Sequence, residues 1–81
     1  MISWRRRDGT TIRLDGECLR SLRESNGMSQ RSLAARLGCT GAAVSSWETE
    51  SCIPSLPQIA RITTVFGEAL AASGAIVVTH E

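Results

Sequence analysis

Helix stops and helix starts alternate along the middle of this chain, and that punctuation constrains its fold more than any other feature. Gly27 comes just before Ser29, Gly38 before Thr40, and Pro54 before Ser55, and Gly67 follows Phe66. Glycine ends a helix by adopting the left-handed conformation. Ser or Thr opens the next by accepting a hydrogen bond from a first-turn amide. The stretches between these marks are too short for a coiled coil. They suit several short helices packed side by side.

Within each stretch the apolar residues fall on one side. Asp15 caps a first helix from Gly16 to about Asn26, with Leu19 and Leu22 inward and Gly27 at its end. Ser29 caps a second over 30–37, with Leu33, Ala34 and Leu37 inward and Met28 stapled to Leu33. Thr40 caps a third over 41–49, with Val44 and Trp47 inward and Cys39 stapled to Val44. Ser55-Leu56-Pro57-Gln58 is a capping box for a fourth over 56–66, burying Leu56, Ile59, Ile62 and Phe66. Pro57 falls in the first turn, where its missing N–H does no harm. A short fifth helix from Glu68 to Ser73 is expected before Gly74.

The flanks read as strands. Ile2 to Arg7, Asp8-Gly9 and Thr10 to Leu14 form a hairpin pattern, with Ile2, Trp4 and Arg6 on one face. Ala75 to Thr79 is β-branched. It is too apolar to hang free, so it pairs with Thr11 to Leu14 or with its copy in a second subunit. The expected fold is mainly α: a bundle of about five helices with an N-terminal β-hairpin and a C-terminal β-strand. One domain spans 1–81, divided into hairpin or arm (1–14), helical core (15–73) and strand (74–81).

At 81 residues, a domain buries only about 60% of its unfolded surface, so dimerisation is expected. The net charge of +1 hides an asymmetry: residues 1–36 carry +4 and residues 37–81 carry −3. Every basic side chain is Arg, the residue suited to phosphate and guanine. Cys18, Cys39 and Cys52 are odd in number and far apart, which reads as small buried thiols in a reducing cytosol. His80 stands alone and reads as incidental. No nucleophile–base pair, metal cluster or glycine-rich phosphate loop is visible, so no enzyme, cofactor or metal is expected. No stretch is long enough to span a bilayer and none reads as a signal peptide, so the expected location is the cytoplasm, at the nucleoid.

The elements Ser29-Gln30, Leu33-Ala34, Leu37-Gly38, Trp47-Glu48 and Pro54-Ser55-Leu56 stand in register from Leu19 to Gly67. Together they resemble the lambda-repressor-like, Cro/C1-type (XRE) helix-turn-helix family of bacteria and phages. The resemblance implies a compact helical domain that lays its third helix in the major groove, commonly as a two-fold dimer on a pseudo-palindromic site. It implies that Gln30 contacts the DNA backbone and steadies the base-reading residues. It places base contacts at Gly41, Ala42, Ser45 and Ser46, with Thr40 and Thr49 at the edges. It pairs Glu48 with Arg23 of the first helix.

Two departures from the family's habit stand out. Its long hydrogen-bonding readers are replaced here by small residues, so direct readout is thin. Glu50 stands where the turn usually carries Gly or a basic residue, and an acid there repels DNA. Arg31 and Arg36 are expected phosphate partners. Arg5, Arg6 and Arg7 beside Trp4 are either a minor-groove arm or a solvated basic strand. The expected function is a sequence-specific double-stranded DNA-binding regulator, a repressor acting as a homodimer. The alternatives are an antitoxin or restriction-modification controller of its own operon, with a cognate toxin or other protein partner, and a protein-interaction module on the same scaffold.

Overall fold

The computed structural model describes residues 1–79; His80, expected from the sequence to be incidental, and the end of the 74–81 segment lie outside them. The elements run β1 (Ile2–Arg5), β2 (Thr11–Leu14), α1 (Gly16–Ser25), α2 (Gln30–Leu37), α3 (Gly41–Glu48), α4 (Leu56–Phe66), α5 (Glu68–Ser73) and β3 (Ile76–Thr79). The fold is mainly α, a lambda-repressor-like helical bundle with flanking strands.

Each of the first four helices starts where a side chain can satisfy its first amides. Asp15 accepts from the Cys18 amide, Ser29 from Ser32, and Thr40 from Ala43. Ser55 and Gln58 close a reciprocal capping box at α4. Such caps are each worth about 1 kcal/mol. Gly38 and Gly74 end α2 and α5 in the left-handed region, at φ 69° and 73°. Arg61 Nη1 donates to the Leu37 carbonyl at 3.1 Å, so α4 also holds the end of α2.

The core gathers one residue set from every element except β1: Ile12 and Leu14, Leu19, Leu33 and Leu37, Val44 and Trp47, Ile59 and Ile62, Leu70, and Ile76. Ile2 and Trp4 of β1 are half-buried and pack against it. Burying each large aliphatic side chain favours folding by about 1.5–3 kcal/mol.

The three strands form one antiparallel sheet in the order β1-β2-β3. Leu14 pairs with Ile2 on one side and Ile76 on the other. The C-terminal strand thus takes the intrachain partner of the two open to it. The hairpin differs from the sequence expectation. β1 stops at Arg5, and Arg6 joins the turn instead of the strand face. The turn spans Arg6 to Gly9, closed by Gly9 N–H to the Arg6 carbonyl (3.1 Å) and Arg6 N–H to the Thr10 carbonyl (2.7 Å). Asp8 Oδ1 takes the Thr10 amide at 2.9 Å, which commits Asp8 to a local turn and leaves Gly9 at φ 89°.

The cysteines are also corrected. All three are free thiols, but Cys52 is exposed and Cys18 and Cys39 are only half-buried. Cys52 sits in the α3–α4 loop beside exposed Ile53, where no element packs over it. No helix among the described residues is long and apolar enough to cross a membrane.

Candidate nucleic-acid interface

The helix α3 has two unlike sides. Val44 and Trp47 are buried, at 0% and 3% exposure, and fix the helix to the core. Thr40 and Ala42 are exposed, and Gly41, Ser45 and Ser46 are half-buried. The start of α3 lies against the start of α2: a Cβ built on Gly41 would stand 3.8 Å from the Arg31 backbone. Gly41 and Arg31 therefore adjoin where α3 and α2 start, with Gln30, Thr40 and Ala42 next to them in the chain and Ser45 and Ser46 further along α3. Arg36 is exposed further along α2. Arg31 and Arg36 make no ion pair among the described residues.

Behind this group lies a buried ion pair. Arg23 Nε donates to Glu48 Oε2 at 2.6 Å, and Arg23 Nη2 to Oε1 at 3.1 Å. Arg23 Nη1 donates to the Met28 carbonyl at 2.7 Å. The two side chains are 8% and 4% exposed. The Glu48 hydrogen bond raises the Arg23 pKa further, so the guanidinium stays charged. One side chain thus joins α1 to the α1–α2 turn and to α3. A buried pair stays favourable only when its remaining polar atoms are satisfied, and no buried side-chain polar atom among the described residues lacks a partner. Gln30 Nε2 completes the set by donating to Glu48 Oε1 at 3.0 Å. An amide nitrogen carries two hydrogens, so Gln30 retains a donor for a phosphate.

The hydroxyls of α3 are mostly engaged by the helix itself. Ser46 Oγ donates to the Ala42 carbonyl at 2.9 Å, and Thr49 Oγ1 to the Ser45 carbonyl at 3.0 Å. Ser46 is left with acceptor lone pairs, which suit the exocyclic amines of adenine and cytosine. Ala42 offers a methyl surface, which suits thymine.

Glu50, the acid in the turn after α3, is directed onto the start of α1. It sits at φ 62°, the one non-glycine residue with positive φ among the described residues. Its Oε2 accepts the Gly16 amide at 3.0 Å and lies 2.8 Å from the Met1 amino group. These contacts, the amino group first, hold its carboxyl below the ordinary range. Gly16 itself is buried, and a Cβ there would overlap the Glu48 carbonyl. The start of α1 is thus seated on the end of α3 in a space only glycine fits. Nothing local in the sequence marks the hydrogen bond between Gly16 and Glu50, which joins residues 34 positions apart.

Arg5, Arg6 and Arg7 are not part of the α2–α3 group. Met1 marks the end of β1 nearest α3, and the arginines lie at the other end, about 13 Å along the strand at 3.3 Å per residue. Arg6 pairs with Asp8 at 3.7 Å. Arg13, which the sequence motifs do not single out, is exposed on the outer face of β2; its position between buried Ile12 and Leu14 is the signal that finds it.

A family model described as a helix-turn-helix domain matches residues 16–72, from the start of α1 almost to the end of α5. Neither the curated proteins nor the solved structures contain a match to the chain.

Proposed function

Since the chain belongs to the helix-turn-helix domain family, with the DNA-binding regulatory role that goes with it, we propose that it is a sequence-specific transcriptional regulator. It binds double-stranded DNA as a homodimer and represses at a pseudo-palindromic operator. The observation that carries this reading is Gln30 braced by Glu48 at the start of α2, beside a side of α3 on which Thr40 and Ala42 are exposed and Gly41, Ser45 and Ser46 are half-buried. In this reading α3 enters the major groove. Gln30 and Arg31 hold phosphates at the start of α2. Thr40, Gly41, Ala42, Ser45 and Ser46 lie against base edges. Short side chains let the helix backbone sit deep, and DNA shape supplies part of the selectivity.

The dimer falls to the outer edge of β3. Its inner edge is taken by β2, and Ile76 to Thr79 carries no charge or proline to block pairing with a second copy. Sedimentation equilibrium of the full chain tests this, with a dimer expected; a monomer throughout the concentration range would defeat it.

Selection of binding sites from random duplex DNA tests the function. A palindrome is expected among the winners, bound with a steep dependence on salt. The absence of any enriched sequence would favour the second reading, a protein-interaction module on the same scaffold. The small residues of α3 are the observation on that side.

A further inference from the structure

Charge is divided sharply between the hairpin and the helices. Residues 1–13 carry Arg5, Arg6, Arg7 and Arg13 against Asp8, a side-chain charge of +3. Residues 14–79 carry Arg20, Arg23, Arg31, Arg36 and Arg61 against six carboxylates, a side-chain charge of −1. Two of those arginines are already committed: Arg20 lies 3.2 Å from Glu24, and Arg23 is buried on Glu48. The helical unit alone brings little net attraction to a polyanion.

The hairpin is also stiff and fixed in place. It is a paired ladder within a three-stranded sheet, and Trp4 packs against the core. Its base adjoins the end of α3, through Met1 on Glu50 and through Gly16 against Glu48. Its arginines are not in single file. Register puts Arg5 and Arg13 on the outer face of the sheet, and Arg6 and Arg7 stand in the turn. Such a spread does not fit a minor groove, but it does fit the phosphates along a duplex backbone.

We propose that the hairpin is a second, sequence-blind contact with duplex DNA, in which Arg6, Arg7 and Arg13 bind phosphates beside the site read by α3. It rests on the DNA-binding reading above and adds a division of labour. Most of the salt dependence of binding resides in the hairpin, with Arg31 adding its own share, and the sequence preference resides in α2 and α3.

The test compares the full chain with a variant carrying Arg6→Gln, Arg7→Gln and Arg13→Gln, on a short mixed-sequence duplex and on a selected site. All three positions are exposed, so the thermal midpoint is expected to hold. The slope of log affinity against log salt should become shallower by roughly 0.9 for each phosphate that the variant leaves unneutralised. Affinity should fall equally on both duplexes, leaving their ratio unchanged. Arg→Lys at the same positions should restore most of the slope, because the charge is kept. An unchanged slope in the Gln variant overturns the hairpin contact while leaving α3 binding intact. A loss confined to the selected site also overturns it, as base readout. A wild-type chain that binds no duplex overturns both readings. Wild-type retention on anionic phospholipid vesicles, abolished in the Gln variant without any change in DNA slope, overturns the hairpin contact too: that outcome assigns the arginines to a lipid surface.

Discussion

Gln30 donates to Glu48 across 3.0 Å, so the residue that opens α2 is oriented by the residue that closes α3. Replacing Gln30 with Ala removes the bridge and the proposed phosphate donor together. Stability should fall by about 1 kcal/mol, the worth of one hydrogen bond, because Glu48 keeps Arg23. DNA affinity should fall at least about tenfold. Fluorescence anisotropy with a selected duplex, alongside a thermal melt, checks both. Unchanged affinity would remove Gln30 from the interface.

Breaking the ion pair beneath it has a larger effect. Arg23→Ala leaves Glu48 charged and buried, which costs about 3–5 kcal/mol. That is a large share of the roughly 5–15 kcal/mol that holds a small domain together. The double variant Arg23→Met with Glu48→Leu should recover most of that loss, since packed apolar groups replace a buried pair well. It should not recover DNA binding, because Gln30 then has no acceptor. Urea denaturation and anisotropy on the same preparations separate the two effects. Wild-type binding by the double variant would show that the brace is dispensable.

Two glycines make opposite demands on an added methyl group. Gly9 has φ 89° but open space around it, so Gly9→Ala should cost only the conformational strain of about 1–2 kcal/mol. Gly16 has ordinary φ, but its methyl would meet the Glu48 carbonyl, and backbone yields less readily than a side-chain tip. Gly16→Ala should therefore cost about 3 kcal/mol, at the upper end for overpacking. Equilibrium unfolding gives the order directly; a greater loss at Gly9 would contradict the seating of α1 on α3.

Acid should weaken the fold through its turn and cap carboxylates. The Cys18 amide holds Asp15 below the usual carboxylate range, and the Thr10 amide does the same for Asp8. A carboxylate with a lower pKa when folded adds stability above its unfolded value and loses it as pH falls through the folded value. The thermal midpoint should therefore drop below about pH 4, where these groups take up protons. Asp15→Asn keeps a good cap without a titrating proton, so its acid limb should be shallower. An equally steep limb would place the acid sensitivity elsewhere.

The parts of this fold that are local in the chain are legible in the sequence. Asp15, Ser29, Thr40 and the Ser55–Gln58 box announce helix starts because each cap and its partner lie within one turn. Val44 and Trp47 announce the buried side of α3 by their spacing. What escapes is long-range. Glu50 reads as an acid facing DNA until the Gly16 amide is seen beside it. Gly16 reads as a helix start, and its close approach to Glu48 depends on how α1 and α3 cross. The choice of β2 as the partner of β3 is likewise a matter of tertiary register. The hairpin turn departs from expectation for a different reason: Asp8 turns its side chain onto Thr10, and the strand ends sooner than its residues alone suggest.

The two-sidedness of α3 separates the evolution of target choice from the evolution of the fold. Val44 and Trp47 answer to the core, while Ala42 is exposed and Ser45 only half-buried. Even Gly41 has room for a side chain at ordinary contact distance from Arg31. Longer, hydrogen-bonding residues can be installed there one at a time without repacking the interior. On the proposed reading, the protein is a scaffold on which a new operator can be acquired by a handful of surface substitutions, with the hairpin arginines carrying affinity while base recognition improves.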